Sequence, residues 1–150
     1  MRTMPIALLC LVLLIFVSCD PDGGSDLNPT QEKIKLLLDE FRLADEEVMQ
    51  FKFANGGAFP AEYTEEAGTR TYSNYTNANG TLIDGTDKLS APPFPQDGEM
   101  DMDFSGGKVG TLTRLRLNMT IHSIESKTVI SCLLNDTDVT EDAQAMYDNP

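Results

Sequence analysis

The strongest constraint on the fold is an alternating run near the C-terminus, LRLNMTIHSI (115–124). Its first positions place apolar residues at odd numbers and polar residues at even numbers. Successive side chains of a β-strand point to opposite faces, so this alternation predicts a strand with one buried face. ESK (125–127) then supplies a turn, and TVISCLL (128–134) supplies the returning strand. The pattern predicts an antiparallel hairpin within a half-buried sheet.

A helix is predicted upstream of this hairpin. Asn28 is a good N-cap residue, Pro29 suits the first turn, and Gln31 stands where a capping-box partner belongs. Apolar residues then recur at helical spacing: Ile34, Leu37, Leu38, Phe41, Ala44 and Val48. The charged residues between them are expected on a solvated face: Glu32, Lys33, Lys35, Asp39, Glu40, Arg42, Asp45, Glu46 and Glu47. The helix is predicted to end within ANGGAFP (54–60).

The segment between the helix and the alternating run is predicted to form short strands. It is rich in Thr, Tyr, Asn and Gly, and turns are predicted at Asn79-Gly80 and Asp84-Gly85. APPFPQDG (91–98) is predicted as a loop, because proline lacks the amide that a central strand needs. The expected fold class is α+β: an N-terminal amphipathic helix packed on an antiparallel β-sheet or partial barrel of roughly four to six strands.

Residues 1–18 are predicted to be a signal peptide. One basic residue, Arg2, precedes an apolar run from Pro5 to Val17, and small residues follow. The run is shorter than the ~20 apolar residues that a membrane-spanning helix needs, which favours a secretory signal over the alternative of an uncleaved anchor helix.

FVSC (16–19) resembles the lipobox of bacterial lipoproteins. Ser18 is the small residue that precedes the cysteine in that family, and Phe16 stands where the family usually has Leu. The resemblance implies cleavage before Cys19, acylation of Cys19 by palmitate-like chains, and a membrane as the first partner. The acylated cysteine and a flexible tether are expected over residues 19–28, because proline, glycine and aspartate resist regular structure there.

The expected location is the bacterial cell envelope, at the outer membrane, on its surface or its periplasmic face. Acidic residues after the cysteine resemble the export signal of surface-displayed lipoproteins, and in other lineages they resemble an inner-membrane retention signal. The alternative is a secreted eukaryotic protein cut after Cys19. Four N-x-S/T sequons agree with that alternative: Asn74, Asn79, Asn118 and Asn135.

Composition limits which partners are expected and where the folded domain is expected to end. The chain has 11 Lys+Arg against 24 Asp+Glu, a net charge of −13, so it lacks the basic footprint that nucleic acid requires. A single α+β domain is expected over residues 29–135. The acidic residues 136–150 contain little apolar material and are expected to form a mobile tail or a frayed helix.

No catalytic residue, metal ligand or cofactor is predicted. The single histidine, His122, is expected to be exposed on a strand, and Cys132 is expected to be a buried, inert thiol. DPDGGSD (20–26) resembles a calcium loop in its acidic spacing but lacks the required Gly and terminal Glu. Asp101 and Asp103 share one strand face and are interpreted as solvated charges. The ligand-binding residues stay unknown at this point.

Two further resemblances concern the mature domain. A tether, the NPTQEKIKLLL (28–38) helix and a strand-rich remainder look like small bacterial lipoproteins with a lipocalin-like domain, which implies binding of an apolar or glycan ligand. FANGGAFP (53–60) resembles the end of a pseudopilin helix. The function expected is therefore a non-catalytic, lipid-anchored envelope protein that binds a small apolar or glycan ligand or a protein. The alternative is a pilin-like assembly subunit, whose helix stripe contacts other subunits.

Overall fold

The computed structural model describes residues 27–148, in which a long helix is followed by an antiparallel sheet and a short helix. The elements are α1 (Pro29–Ala54), β1 (Tyr63–Glu66), β2 (Thr69–Thr76), β3 (Thr81–Leu89), β4 (Gln96–Gly106), β5 (Gly110–Ile121), β6 (Lys127–Leu134), β7 (Thr137–Asp138) and α2 (Thr140–Asp148). Residues 1–28 were assigned to a signal peptide and tether, and their first 26 positions lie outside the described residues.

Helix α1 begins at Pro29, directly after its predicted capping residue Asn28. The Asn28 side chain accepts the backbone N–H of Gln31 at 3.0 Å, and the Gln31 side chain accepts the backbone N–H of Asn28 at 3.0 Å. This reciprocal pair is the predicted capping box, and it satisfies two backbone donors that a helix start leaves unpaired. The helix ends at Ala54, with the amide of Asn55 bonded to the Phe51 carbonyl.

The seven strands form one sheet in which each strand pairs antiparallel with the next along the chain. Strands β4 and β5 are the longest, and Met100 pairs with Leu117 near the middle of their register. Within the described residues the first and last strands do not pair with each other, so the sheet is open. The expected number of roughly four to six strands was too low, because the short strands at the two edges carry no alternating signal.

One face of the sheet is buried under α1. The apolar stripe of the helix includes Leu37 (0% exposed), Phe41 (2%) and Val48 (0%). The inward residues of the central strands complete the same core, with Met102 and Leu115 both fully buried. The predicted α+β class, an N-terminal helix packed on an antiparallel sheet, is therefore confirmed. The opposite face of the sheet is largely polar and open to solvent.

Two local predictions between the helix and the alternating run were wrong. Asp84-Gly85 is not a turn but lies inside β3. A Cβ atom on Gly85 would lie 2.2 Å from the Asp101 carbonyl oxygen, so the glycine permits β3 and β4 to approach closely. The expected loop over 91–98 is also shorter than predicted, because β4 begins at Gln96.

Of the two alternatives expected for residues 136–150, a mobile tail or a frayed helix, the described part forms a helix, and it is packed rather than frayed. Helix α2 packs on the domain and buries Ala143 and Met146, each 1% exposed. The spacing of these two residues is that of one helical face, and it was obscured by the surrounding acids. The folded domain therefore extends to Asp148.

The two faces of β5 should respond differently to truncation. Leu117→Ala removes a side chain that is 1% exposed, and the free energy of unfolding should fall by about 2–5 kcal/mol. Arg116→Ala, on the open face, should cost less than ~1 kcal/mol because its partner Asp136 is exposed. Urea unfolding of both variants measures the contrast. Equal losses would mean that both faces of the sheet are covered.

Candidate functional site

A buried cluster of charged residues joins α1 to the first strands of the sheet. Arg70 on β2 lies opposite its register partner Asp87 on β3. The Nε and Nη2 atoms of Arg70 both donate to Asp87 Oδ2, the former over 2.9 Å. Its Nη1 donates to Oδ1 of Asp45 on α1 over 2.8 Å, and the Tyr72 hydroxyl donates to that same oxygen over 2.9 Å. One guanidinium therefore ties the helix to two strands.

This charge cluster holds two carboxylates and one guanidinium in a buried environment. Arg70, Asp45 and Asp87 are 8%, 3% and 1% exposed. Asp87 Oδ1 has no hydrogen-bond partner. Burial raises the pKa of Asp87 to about 6; Arg70 opposes the rise, and the negative charges of Asp45 and Glu65 add to it. Asp87 is therefore the group of the cluster that is poised to take up a proton near neutral pH.

Aromatic rings surround the charge cluster. The Arg70 guanidinium lies over the ring of Phe41, 5.6 Å from its centroid. Tyr72 packs edge-on against Phe41 at 5.6 Å and against Tyr63 at 5.1 Å. Burial raises the pKa of both tyrosines well above the ordinary range. These rings keep water from the cluster and strengthen its electrostatic interactions.

Two further carboxylates of α1 hold the turn between β2 and β3. Glu40, 2% exposed, accepts from the Nδ2 atoms of Asn77 and Asn79, each over 2.8 Å. Glu47 accepts from the Tyr75 hydroxyl over 3.1 Å. Burial acts to raise the pKa of Glu40, but hydrogen bonds from Asn77 and neighbouring side chains outweigh it, so the pKa is lowered. Glu40 is thus held in its charged form.

These polar contacts hold α1 in position. Asp45 and Asp87 are engaged with Arg70, and Glu40 and Glu47 with the β2–β3 hairpin. Two surface depressions, one on the open face of the sheet and one between β6 and α2, are lined by other residues.

A shallow depression of about 200 Å³ lies on the open face of the sheet. It is lined by Asp84, Gly85, Thr86, Asp101, Asp103 and Arg114. Arg114 binds Asp101 through two parallel hydrogen bonds of 2.8 and 2.7 Å. An exposed pair of this kind adds little stability but presents polar groups in a fixed geometry.

A larger open groove, of about 560 Å³, runs between β6 and α2. It is lined by Thr128, Val129, Thr140, Glu141, Gln144, Ala145 and Asp148. The Gln144 side chain crosses to the edge of β6, where its Oε1 accepts the Val129 N–H over 2.6 Å and its Nε2 donates to the Lys127 carbonyl over 3.3 Å. A side chain thus occupies hydrogen-bonding groups that a neighbouring strand would otherwise use.

The predicted lipid-attachment residue, Cys19, lies outside the described residues, as does the acidic segment 20–26. His122 is exposed, as predicted, but it lies just beyond the end of β5 and not on a strand, and its Nε2 is 3.1 Å from the Thr128 hydroxyl. Cys132 is fully buried, as predicted, and burial raises the pKa of its thiol to about 12. Asp101 and Asp103 share the open sheet face, with Asp101 bound to Arg114. Among residues 27–148, no group of three or more His, Cys, Asp or Glu is arranged to hold a metal ion.

The charge cluster was missed because its helix residues were assigned to the solvated face. Asp45 and Glu40 are buried instead. Asp45 follows Phe41 by four positions, and Glu40 follows Leu37 by three, so helical periodicity places both beside the apolar stripe. This spacing is the sequence signal that could have predicted the burial of Asp45 and Glu40. Their partners on β2 and the following turn could not be read from the pattern.

Comparison with known proteins adds no assignment: no family model, no curated protein and no solved structure matches this chain. Within residues 27–148, no helix has the length and apolar content needed to cross a membrane.

The unpaired carboxyl oxygen of Asp87 leads to a prediction about pH. Its folded-state pKa of about 6 exceeds the ordinary 3.8, so the folded protein binds this proton more tightly than the unfolded chain does. The stability that the proton contributes is fully present below about pH 4 and is lost as the pH rises through 6. Wild type should therefore lose on the order of 2–3 kcal/mol relative to Asp87→Asn between pH 4 and pH 7.5.

Urea unfolding at several pH values measures this difference in unfolding free energy. Asp84→Asn, an exposed carboxylate on the same strand, controls for the loss of one negative charge. A difference between wild type and Asp87→Asn that stays constant with pH would contradict the prediction.

Proposed function

We propose that this protein is a lipid-anchored, non-catalytic component of a bacterial envelope, held to the outer membrane through Cys19, which binds a ligand at the surface of its α+β domain. The anchor is supported by the signal-like leader and the FVSC junction. The binding role is supported chiefly by one observation: α1 seals one face of the sheet and leaves the other face and the β6 groove open.

This arrangement favours surface recognition over an enclosed apolar pocket. A lipocalin-like ligand would need space on the inner face of the sheet, and that face is filled by helix residues such as Leu37, Phe41 and Val48. The ligand we propose is consequently a protein segment or a polar glycan. The same packing disfavours the pilin-like alternative, because the helix stripe would have to leave its own sheet in order to contact other subunits.

The length of the predicted tether also fits the proposal. Seven residues lie between Cys19 and Leu27, and the eight steps along the chain span at most ~28 Å in extended form. At the helix start, the Asn28 side chain donates to Asp142 on α2 over 2.7 Å. An acylated Cys19 would therefore keep the start of α1, and the adjoining α2, within ~28 Å of the membrane surface.

The secreted glycoprotein alternative has one observation in its favour. Three of the four sequon asparagines, Asn74, Asn118 and Asn135, are exposed, as an oligosaccharide would require. Treatment of the native protein with an N-glycosidase tests it directly, since only a glycosylated chain would lose mass.

The anchor is tested by metabolic labelling with a palmitate analogue. Cys19→Ala should abolish labelling and leave an unprocessed precursor, because the acyl acceptor and the processing site are lost together. Cys10→Ala, which changes a cysteine inside the leader, is the matched control and should be labelled normally. Continued labelling of Cys19→Ala would remove the lipoprotein proposal.

A further inference from the structure

We propose that the outer edge of β6 is a docking site for an extended, basic polypeptide segment, and that the Gln144 side chain of α2 is a displaceable cover on that edge. This inference rests on the binding role proposed above but not on the lipid anchor. It assigns the groove between β6 and α2 as the binding site and names the class of partner.

The edge of β6 is paired with another strand over only part of its length. Strand β7 contacts Leu133 and Leu134 and then ends. Before these two residues, the outward backbone groups of β6 bond to groups that do not belong to a strand. The Cys132 N–H donates to the Thr140 hydroxyl over 2.9 Å, and the Cys132 carbonyl accepts from the Val139 N–H over 2.9 Å. Exposed strand edges are the usual templates for adding a further strand.

The contact of Gln144 with β6 imitates a neighbouring strand. In a parallel ladder, one residue donates to the carbonyl before the paired residue and accepts from the amide after it. The Gln144 amide group does this around Thr128, through the Lys127 carbonyl and the Val129 N–H. The backbone groups of this edge are therefore oriented for strand addition, and a single side chain occupies them.

Helix α2 itself is held to the domain, because Ala143 and Met146 lie in the core, Tyr147 packs against that core and the first turn is bonded to Asn28. The part of α2 that a bound segment must move is the Gln144 side chain, which is joined to the edge of β6 by hydrogen bonds alone. Its hydrogen bonds to β6 can be replaced by backbone bonds from a bound segment at little net cost, because one hydrogen bond is exchanged for another.

The charge of the groove favours a basic partner. Among the described residues, the side chains that line it include the carboxylates of Glu141 and Asp148 and no lysine or arginine. The ammonium of Lys127, whose carbonyl forms part of the edge, is bonded to the Ile124 carbonyl and lies over the Tyr147 ring. A second copy of this chain would bring the same carboxylates together, and like charges disfavour that contact. Ile130, the extra residue of a bulge in β6, is 62% exposed beside the edge and offers an apolar contact to an alternating segment.

The probe is a fluorescein-labelled ten-residue peptide of alternating lysine and valine, titrated by anisotropy against the full chain in a non-ionic detergent. A peptide of alternating lysine and glycine carries the same charge but forms strands poorly, so it measures purely electrostatic attraction. We expect the lysine–valine peptide to bind more tightly. Equal binding of the two peptides would overturn the proposal.

Two variants on opposite sides of the contact sharpen the test. Gln144→Ala uncovers the edge and should tighten binding by a factor of about 5–10, the value of roughly one net hydrogen bond. Val129→Pro removes the outward N–H and should weaken binding by at least as much. The Val129 N–H bonds to Gln144 and not to β5, so the ladder between β5 and β6 should survive, as circular dichroism can verify.

Hydrogen exchange keeps the inference testable if Val129→Pro does not fold. In Gln144→Ala, the Val129 amide should exchange faster than in wild type, and the lysine–valine peptide should slow it again. An unchanged Val129 amide on peptide addition would overturn the proposal. Acyl labelling of Cys19 is measured separately, so failure of peptide binding in a labelled protein leaves the proposed anchor intact.

Discussion

The structure depends on the contact between one helix and one face of an antiparallel sheet. Apolar burial drives this contact, but burial is non-directional and does not by itself decide how the helix lies. The orientation of α1 on the sheet is set by three of its carboxylates. Asp45 binds Arg70, and Glu40 and Glu47 bind the β2–β3 hairpin. Hydrogen bonds with defined geometry thus select one orientation among many that would bury the same apolar stripe.

This orientation determines which surfaces remain for recognition. With the inner face closed by α1, the polar face and the edges of the sheet are what the domain offers to a ligand. The two edges differ in how they are protected from pairing with a further strand. Strand β1 is short and carries Glu65 and Glu66, which discourage pairing with another strand. Strand β6 is long and is covered by α2 through side-chain contacts that can be exchanged.

Local patterns in the sequence were sufficient to predict the main elements. The capping box at Asn28 placed the helix start at the correct residue, alternation placed Leu117 on the buried face, and the apolar returning strand indicated the burial of Cys132. These predictions succeeded because each depends on residues close together in the chain. The lipid anchor at Cys19 stays a prediction, since it lies outside the described residues.

Two of the predictions that failed depend on contacts between distant segments. Gly85 reads as a turn residue until β4 is known to approach it, and Asp45 reads as a surface acid until Arg70, 25 residues later, is known to face it. The mobile tail predicted over residues 136–150 was wrong for a different reason. Acidic residues dominate the composition of this segment, and only the spacing of Ala143 and Met146 indicates burial.

The charge cluster is better explained by specificity than by stability. Desolvation of buried ions commonly cancels much of their attraction, so a buried pair adds little net stability compared with well-packed apolar residues. The unpaired oxygen of Asp87 makes the balance in this protein still less favourable. Leaving any one member without its partners would be far more costly, however, because a buried charge would remain uncompensated. A shifted α1 would separate Asp45 from Arg70, and alternative packings are therefore penalised much more than the native packing is stabilised.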